Sequence, residues 1–182
     1  MENKVNPWKA NLTNGLIMGL IGIVYSLVMY FFDLTLNRVQ GWIFVALQFV
    51  ILYFLVKMYR DNYKHGLLSY GEALGAGMII FLYYSIIAAI FMYILYTLID
   101  PNMADKQMVM AEEELLKRGM PQDQIDISMN VQKKIMIPEV LAPLSILGNM
   151  FYGLIVSLIV AAFVRKEGNP LIDAAEEEPE NN

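Results

Sequence analysis

Residues 69–100 read SYGEALGAGMIIFLYYSIIAAIFMYILYTLID, and from Ala73 to Ile99 no charged residue occurs. Wound as an α-helix at about 1.5 Å per residue, that uncharged run is about 40 Å long, enough to cross a hydrocarbon core of about 30 Å. Helix-terminus chemistry bounds it on both sides. Ser69 precedes Glu72 by three residues, the capping-box spacing in which each side chain accepts from the other residue's backbone N–H. Asp100 stands before Pro101, and the residue ahead of a proline is pushed out of the α region. Segment 73–99 is therefore expected to be a membrane span, with Ser69 and Glu72 as its helix cap. Gly71, Gly75 and Gly77 make the start of this helix small on two faces, where neighbouring helices can approach. On that reading Gly75→Leu should cost more stability than Glu72→Gln.

Three further apolar runs accompany it, at 12–32, 41–59 and 143–164. The first is longer than a signal-peptide core of about 7–15 residues and no A-x-A site follows it, so it is expected to be retained as a span. The composition agrees: 57 % of the 182 residues are hydrophobic and only 17 % are charged, against about 25 % charged in a soluble domain. The expected fold is all-α, a polytopic membrane protein of four transmembrane helices. Residues 1–11 form a cytoplasmic N-terminal segment and 165–182 a disordered acidic tail.

Between the third and fourth spans lies a water-soluble loop, 100–142. Within it Met103–Arg118 reads as a helix. Glu113 and Glu114 stand four residues before Lys117 and Arg118, the favourable order for helical ion pairs, and Gly119 follows as a stop. In 122–134 the apolar residues Ile125, Ile127, Met129 and Val131 alternate as in a strand. A lone strand has no partner here, so a second helix is expected.

The spans carry few polar groups. Gly15, Gly19 and Gly22 fall on one face of the first span, and Gly153 and Ser157 belong to a four-residue repeat in the last. These are helix-packing positions, where small side chains let backbones meet. Gln48, Tyr83, Tyr84 and Asn149 lie deep enough to need partners inside the bundle, and are the candidates for a polar bundle interior. No catalytic, cofactor-binding or metal-ligating residue is assigned. The chain has no cysteine and one histidine, His65, which alone cannot make a credible metal site. Glu72, Asp100 and Glu139 are spread over both ends of the bundle, so no enzyme is expected. The net charge of −5 comes without a clustered basic surface, which excludes nucleic acid as a partner.

An even number of spans puts both termini on one side. The short segments on that side hold Lys4, Lys9, Lys57, Arg60, Lys64, Arg165 and Lys166, whereas the short loop opposite holds only Arg38. The positive-inside rule then places both termini in the cytoplasm and the 100–142 loop outside.

The segments WKANLTNGLIMGLIG (8–22), LLSYGEALGAG (67–77), YTLIDPNM (96–103), EEELLKRGMPQDQID (112–126) and GLIVSLIVAAFVRKE (153–167) resemble, in this order, an uncharacterised family of small four-span bacterial membrane proteins, a domain-of-unknown-function family. Pro121 departs from the polar cap residue that family pattern leads one to expect before an acidic turn. The resemblance implies a four-span fold in the bacterial inner membrane and no known activity. Together these readings lead to a non-enzymatic accessory or scaffold protein of the cell envelope. Its partners would be the lipid bilayer and either a second copy or another envelope protein. The alternative is a small carrier or lipid-linked substrate flippase acting as an oligomer.

Overall fold

The computed structural model describes residues 5–35 and 37–167. Among the described residues six α-helices follow one another: α1 Pro7–Phe31, α2 Arg38–Tyr63, α3 Tyr70–Ile94, α4 Met103–Lys117, α5 Gln122–Ile135 and α6 Pro138–Val164. Helix α3 runs on into a π-helical turn, Leu95–Ile99. Four helices (α1, α2, α3 with its π turn, and α6) are long and apolar enough to cross a membrane. The described residues contain no strand, only an isolated antiparallel bridge between Leu68 and Lys166. The fold is an all-α, multi-pass membrane bundle with two further helices between its third and fourth spans. The expected acidic tail lies outside the described residues from position 168 onward.

The helices extend beyond the apolar runs, because capping groups rather than hydrophobicity set their ends. Helix α1 starts at Pro7, so residues 7–11 belong to it rather than to a separate polar segment. The Asn6 side chain accepts from the Trp8 N–H at 3.0 Å, and Pro7 fits the first turn, where its missing N–H costs nothing. Asn37 does the same for α2, accepting from Val39 at 2.9 Å. Helix α6 begins at Pro138, a turn before the expected start, and carries Pro143 inside it. The 100–142 loop is two helices, with Pro121 at the N-cap of the second and no side-chain cap bond there.

Helix α3 is the centre of the bundle. On one side α1 lays Gly15, Gly19 and Gly22 against Tyr83, Ile87 and Tyr84; a Cβ on Gly19 would stand 2.7 Å from Ile87 Cδ1. On the other side α6 runs antiparallel to it. A Cβ on Gly77 would lie 2.6 Å from Ser157 Oγ, and one on Gly153 would lie 2.5 Å from Phe81 Cγ. Side chains of the facing helix thus seat in notches left by glycine, which brings both neighbours close to α3. Gly71 and Gly75 take no part in this: both are exposed, and a Cβ on either meets nothing within 4 Å. The packing role expected of these two is therefore wrong. They share a face that points away from α1 and α6, which dock on the faces carrying Gly77, Phe81, Tyr83 and Ile87.

Helix α2 joins differently, burying Leu52, Leu55, Val56 and Tyr59. Outward faces of the spans show Leu20, Val24, Phe54, Leu147, Phe151 and Phe163, as a surface bathed in acyl chains requires.

Each end of the bundle is tied. At one end, Leu68 and Lys166 exchange backbone N–H···O=C bonds of 2.8 Å each, and an Arg60 Nη donates to the Val164 carbonyl at 3.0 Å. At the other, Met103 of α4 is buried with Leu95 and Tyr96. Ile125 of α5 is fully buried. Arg38 at the start of α2 pairs with Glu114 of α4 at 2.8 Å, and Arg118 pairs with the same carboxylate at 3.0 Å.

Candidate functional site

One buried polar group of the bundle gathers where α2, α3 and α6 meet. Gln48 is 4 % exposed and Tyr84 is 6 % exposed, and the Gln48 side chain lies beside the Tyr84 hydroxyl. Tyr152 of α6 completes the group, its hydroxyl donating to the Val45 carbonyl at 3.5 Å. Phe81 holds the two tyrosines apart, meeting Tyr84 edge-on at 5.7 Å and Tyr152 edge-on at 5.8 Å between ring centroids. Aromatic rings prefer this edge-to-face contact, which fixes where the hydroxyls point. The group can hydrogen-bond a neutral polar partner or a neighbouring helix. It contains no carboxylate, histidine or lysine.

Two of the expected members lie elsewhere. Tyr83 faces α1: its hydroxyl donates to the Trp8 carbonyl at 3.3 Å and its ring meets Trp8 edge-on at 6.4 Å. Adjacent residues on a helix point about 100° apart, so Tyr83 and Tyr84 cannot serve one pocket. Asn149 is half-buried and makes no hydrogen bond among the described residues. One turn on from Phe81 and one turn back from Gly153 stand Ser85 and Asn149. Ser85 is fully buried and donates to its own helix at the Leu82 carbonyl, 2.9 Å away.

Sequence reading missed a second buried polar group. Asn11 and Asn14 of α1 are 0 % and 4 % exposed. The Asn14 amide donates to Asn11 Oδ1 at 3.1 Å and to the Leu55 carbonyl at 3.4 Å, and Asn11 donates to the Pro7 carbonyl at 3.0 Å. Their three-residue spacing was the available signal, since i and i+3 share a helix face. Tyr152 was also missed; it lies one turn after Asn149 on α6.

The ionisable groups sit at the ends. The capping box at Ser69 and Glu72 is complete: Glu72 Oε2 accepts from the Ser69 N–H at 3.1 Å, Ser69 Oγ accepts from the Glu72 N–H at 3.3 Å, and Lys64 pairs with the same carboxylate. At the opposite end Asp100 is buried, accepting from the Asn102 N–H at 3.1 Å and from Lys106 Nζ at 2.7 Å. That hydrogen bond and the aspartate charge hold the Lys106 ammonium above its ordinary range. Hydrogen bonds from Arg38 and Arg118 hold the Glu114 carboxyl below its own. Glu72 and Asp100 thus stand at opposite ends, each satisfied by local donors. No three His, Cys, Asp or Glu side chains stand together as a metal site among the described residues.

A family model described as "Protein of unknown function (DUF4199)" matches residues 13–166. The match takes in nearly the whole described chain, from the second turn of α1 to the Leu68–Lys166 bridge, and the chain belongs to this family. No curated protein and no solved structure matches it.

Proposed function

We propose that the protein is a non-enzymatic accessory or scaffold protein of the bacterial cell envelope. It would sit in the inner membrane with both termini in the cytoplasm, and offer the α4–α5 pair to another envelope protein on the outer side. One observation carries this reading. The pair is fastened to the bundle through Met103 and through Glu114, which pairs with Arg38, yet it leaves Val109, Leu116, Ile127 and Val131 exposed. Apolar side chains on a helix pair outside the spans, rather than on a lipid-facing span, suit contact with a partner. Polar groups inside the bundle are few, and Asn11, Asn14, Ser85 and Tyr152 bond to helix groups of the bundle itself, which supports a structural role for them.

A photo-crosslinking residue at Ile127 or Val131, used in living cells, tests the proposal. A discrete crosslinked protein is the expected product. A protein that always crosslinks to nothing, in cells where removing the loop has no consequence, would sink it. Orientation is tested separately. The chain lacks cysteine, so Asp126→Cys should react with an impermeant maleimide on intact cells and Asp61→Cys only after permeabilisation; the reverse pattern would invert the topology.

One observation favours a small carrier or flippase as the second reading. A cavity of about 200 Å³ between α1 and α3 is lined by Gly22, Ser26, Tyr84 and Tyr96 and so reaches the polar group from the side. Transport or flipping by the purified protein in liposomes, lost in Tyr84→Phe, would support it; liposomes that stay inert would count against it.

A further inference from the structure

The start of α2 carries a groove that the bundle's own packing leaves unused. Its volume is about 470 Å³, and it is lined by Arg38, Gly41, Trp42 and Val45 of α2 and by Arg118 at the end of α4. Positions 38, 41, 42 and 45 are i, i+3, i+4 and i+7, one face of a helix. The face grades from charge to hydrocarbon: Val45 lies about 10 Å further along the helix axis than Arg38. Gly41 forms a notch between them, since a Cβ there meets nothing within 4 Å. Trp42 is 75 % exposed one turn into α2, and an indole near the end of a span suits the boundary between headgroups and acyl chains.

The charged end has donors to spare. Arg38 reaches Glu114 through one Nη at 2.8 Å, and Arg118 reaches it through Nε at 3.0 Å. A guanidinium has five N–H donors, so most of each fork is unspent, and the fork matches the oxygens of a phosphate. Two arginines and one glutamate leave a net positive charge of one. We infer that this groove is a binding site for an anionic phospholipid, its phosphate between Arg38 and Arg118 and an acyl chain along Gly41 and Val45. A soluble phosphate would use the arginines but leave the apolar half of the face and its notch without an occupant. The inference is independent of the accessory role proposed above.

The chain holds two tryptophans, so Trp8→Phe leaves Trp42 as the sole reporter, inside the groove. The full chain carrying that change is reconstituted in phosphatidylcholine vesicles with rising fractions of dibrominated phosphatidylglycerol or, in parallel, dibrominated phosphatidylcholine. Quenching of Trp42 should favour the glycerol lipid about fivefold, the equivalent of about 1 kcal/mol per net basic charge at a membrane surface. The preference should vanish in Arg38→Gln/Arg118→Gln and persist in Arg165→Gln, at the other end of the bundle. Gly41→Leu should abolish it with every charge intact. Equal quenching by the two lipids, or a preference that survives the double substitution, would overturn the inference. If the double variant fails to reconstitute, Gly41→Leu decides, and an unchanged preference there overturns it. Relief of quenching by inorganic phosphate at constant ionic strength would assign the groove to a soluble anion and equally overturn it.

Discussion

Glycine is read in a membrane helix as an invitation to close packing, and in this chain the reading succeeds or fails residue by residue. Gly77 and Gly153 each lie under a side chain of the facing helix, with less than van der Waals room for a Cβ. Gly77→Leu and Gly153→Leu should each destabilise the protein by about 1–3 kcal/mol, the usual cost of overpacking. Gly75→Leu, on an open face, should cost less than either and no more than Glu72→Gln, which keeps an acceptor for the Ser69 N–H but loses the ion pair with Lys64; the ranking the sequence suggested is not expected. Thermal unfolding in detergent with a folding-sensitive dye checks all four, and a Gly75→Leu as damaging as Gly77→Leu would show a neighbour seated on that face. Ser157 poses the opposite case. Its Oγ is buried with no hydrogen-bond partner among the described residues and abuts Gly77. A buried hydroxyl without a partner forfeits its solvation, so Ser157→Ala should be neutral or stabilise by up to about 1 kcal/mol. A clear loss in the same assay would mean that the hydroxyl is satisfied.

The elements were legible to the extent that their signals were local. Four apolar runs, the Ser69–Glu72 spacing and the 113/117 and 114/118 charge pairs depend on neighbours in sequence, and each corresponds to a helix or a helix end in the structure. Helix starts at Pro7 and Pro138 were misplaced because a hydrophobicity window ignores polar turns that a cap can still hold in the helix. The alternating 122–134 segment is helical because a strand there would have no edge to pair with, a tertiary reason. Helix α4 is anchored to α2 by Glu114, whose carboxyl Arg38 and Arg118 hold below the ordinary value of 4.5. A group with a lowered folded-state pKa stabilises fully above its ordinary value and loses that contribution as pH falls through the lowered one. Spin labels on Val39→Cys and Val109→Cys should therefore keep one sharp distance from neutral pH down past 4.5 and broaden only below it. Arg38→Gln should bring the broadening to higher pH; an unchanged profile would mean that the packing of Met103 suffices to hold α4 in place.

At the scale of the whole molecule, what the sequence could not show is who meets whom. Gln48 and Tyr84 were singled out for depth and do meet, but Tyr83 and Asn149 were singled out on the same ground and do not join them. Depth is a property of one helix, whereas partnership needs the rotation and register of two. The closure of the bundle is more distant still: Leu68 and Lys166 are about a hundred residues apart, and neither is remarkable by type. Yet their two backbone bonds of 2.8 Å join the α2–α3 loop to the end of α6, beside the Arg60 bond to Val164. This junction ties the end of α6 to the α2–α3 loop. Backbone bonds are insensitive to side-chain identity, so Lys166→Ala should leave stability nearly unchanged. A chain ending at Arg165 loses both bonds, while one ending at Glu167 keeps them. At about 1 kcal/mol per net hydrogen bond, the shorter chain should be less stable than the longer by roughly 1–2 kcal/mol. The loss should be localised as faster amide exchange at Leu68 and in the last turn of α6, with the Ser157–Gly77 region protected. Equal stability of the two truncations would show that the Arg60–Val164 bond and the packing of Val160, Ala161 and Val164 suffice to close the bundle.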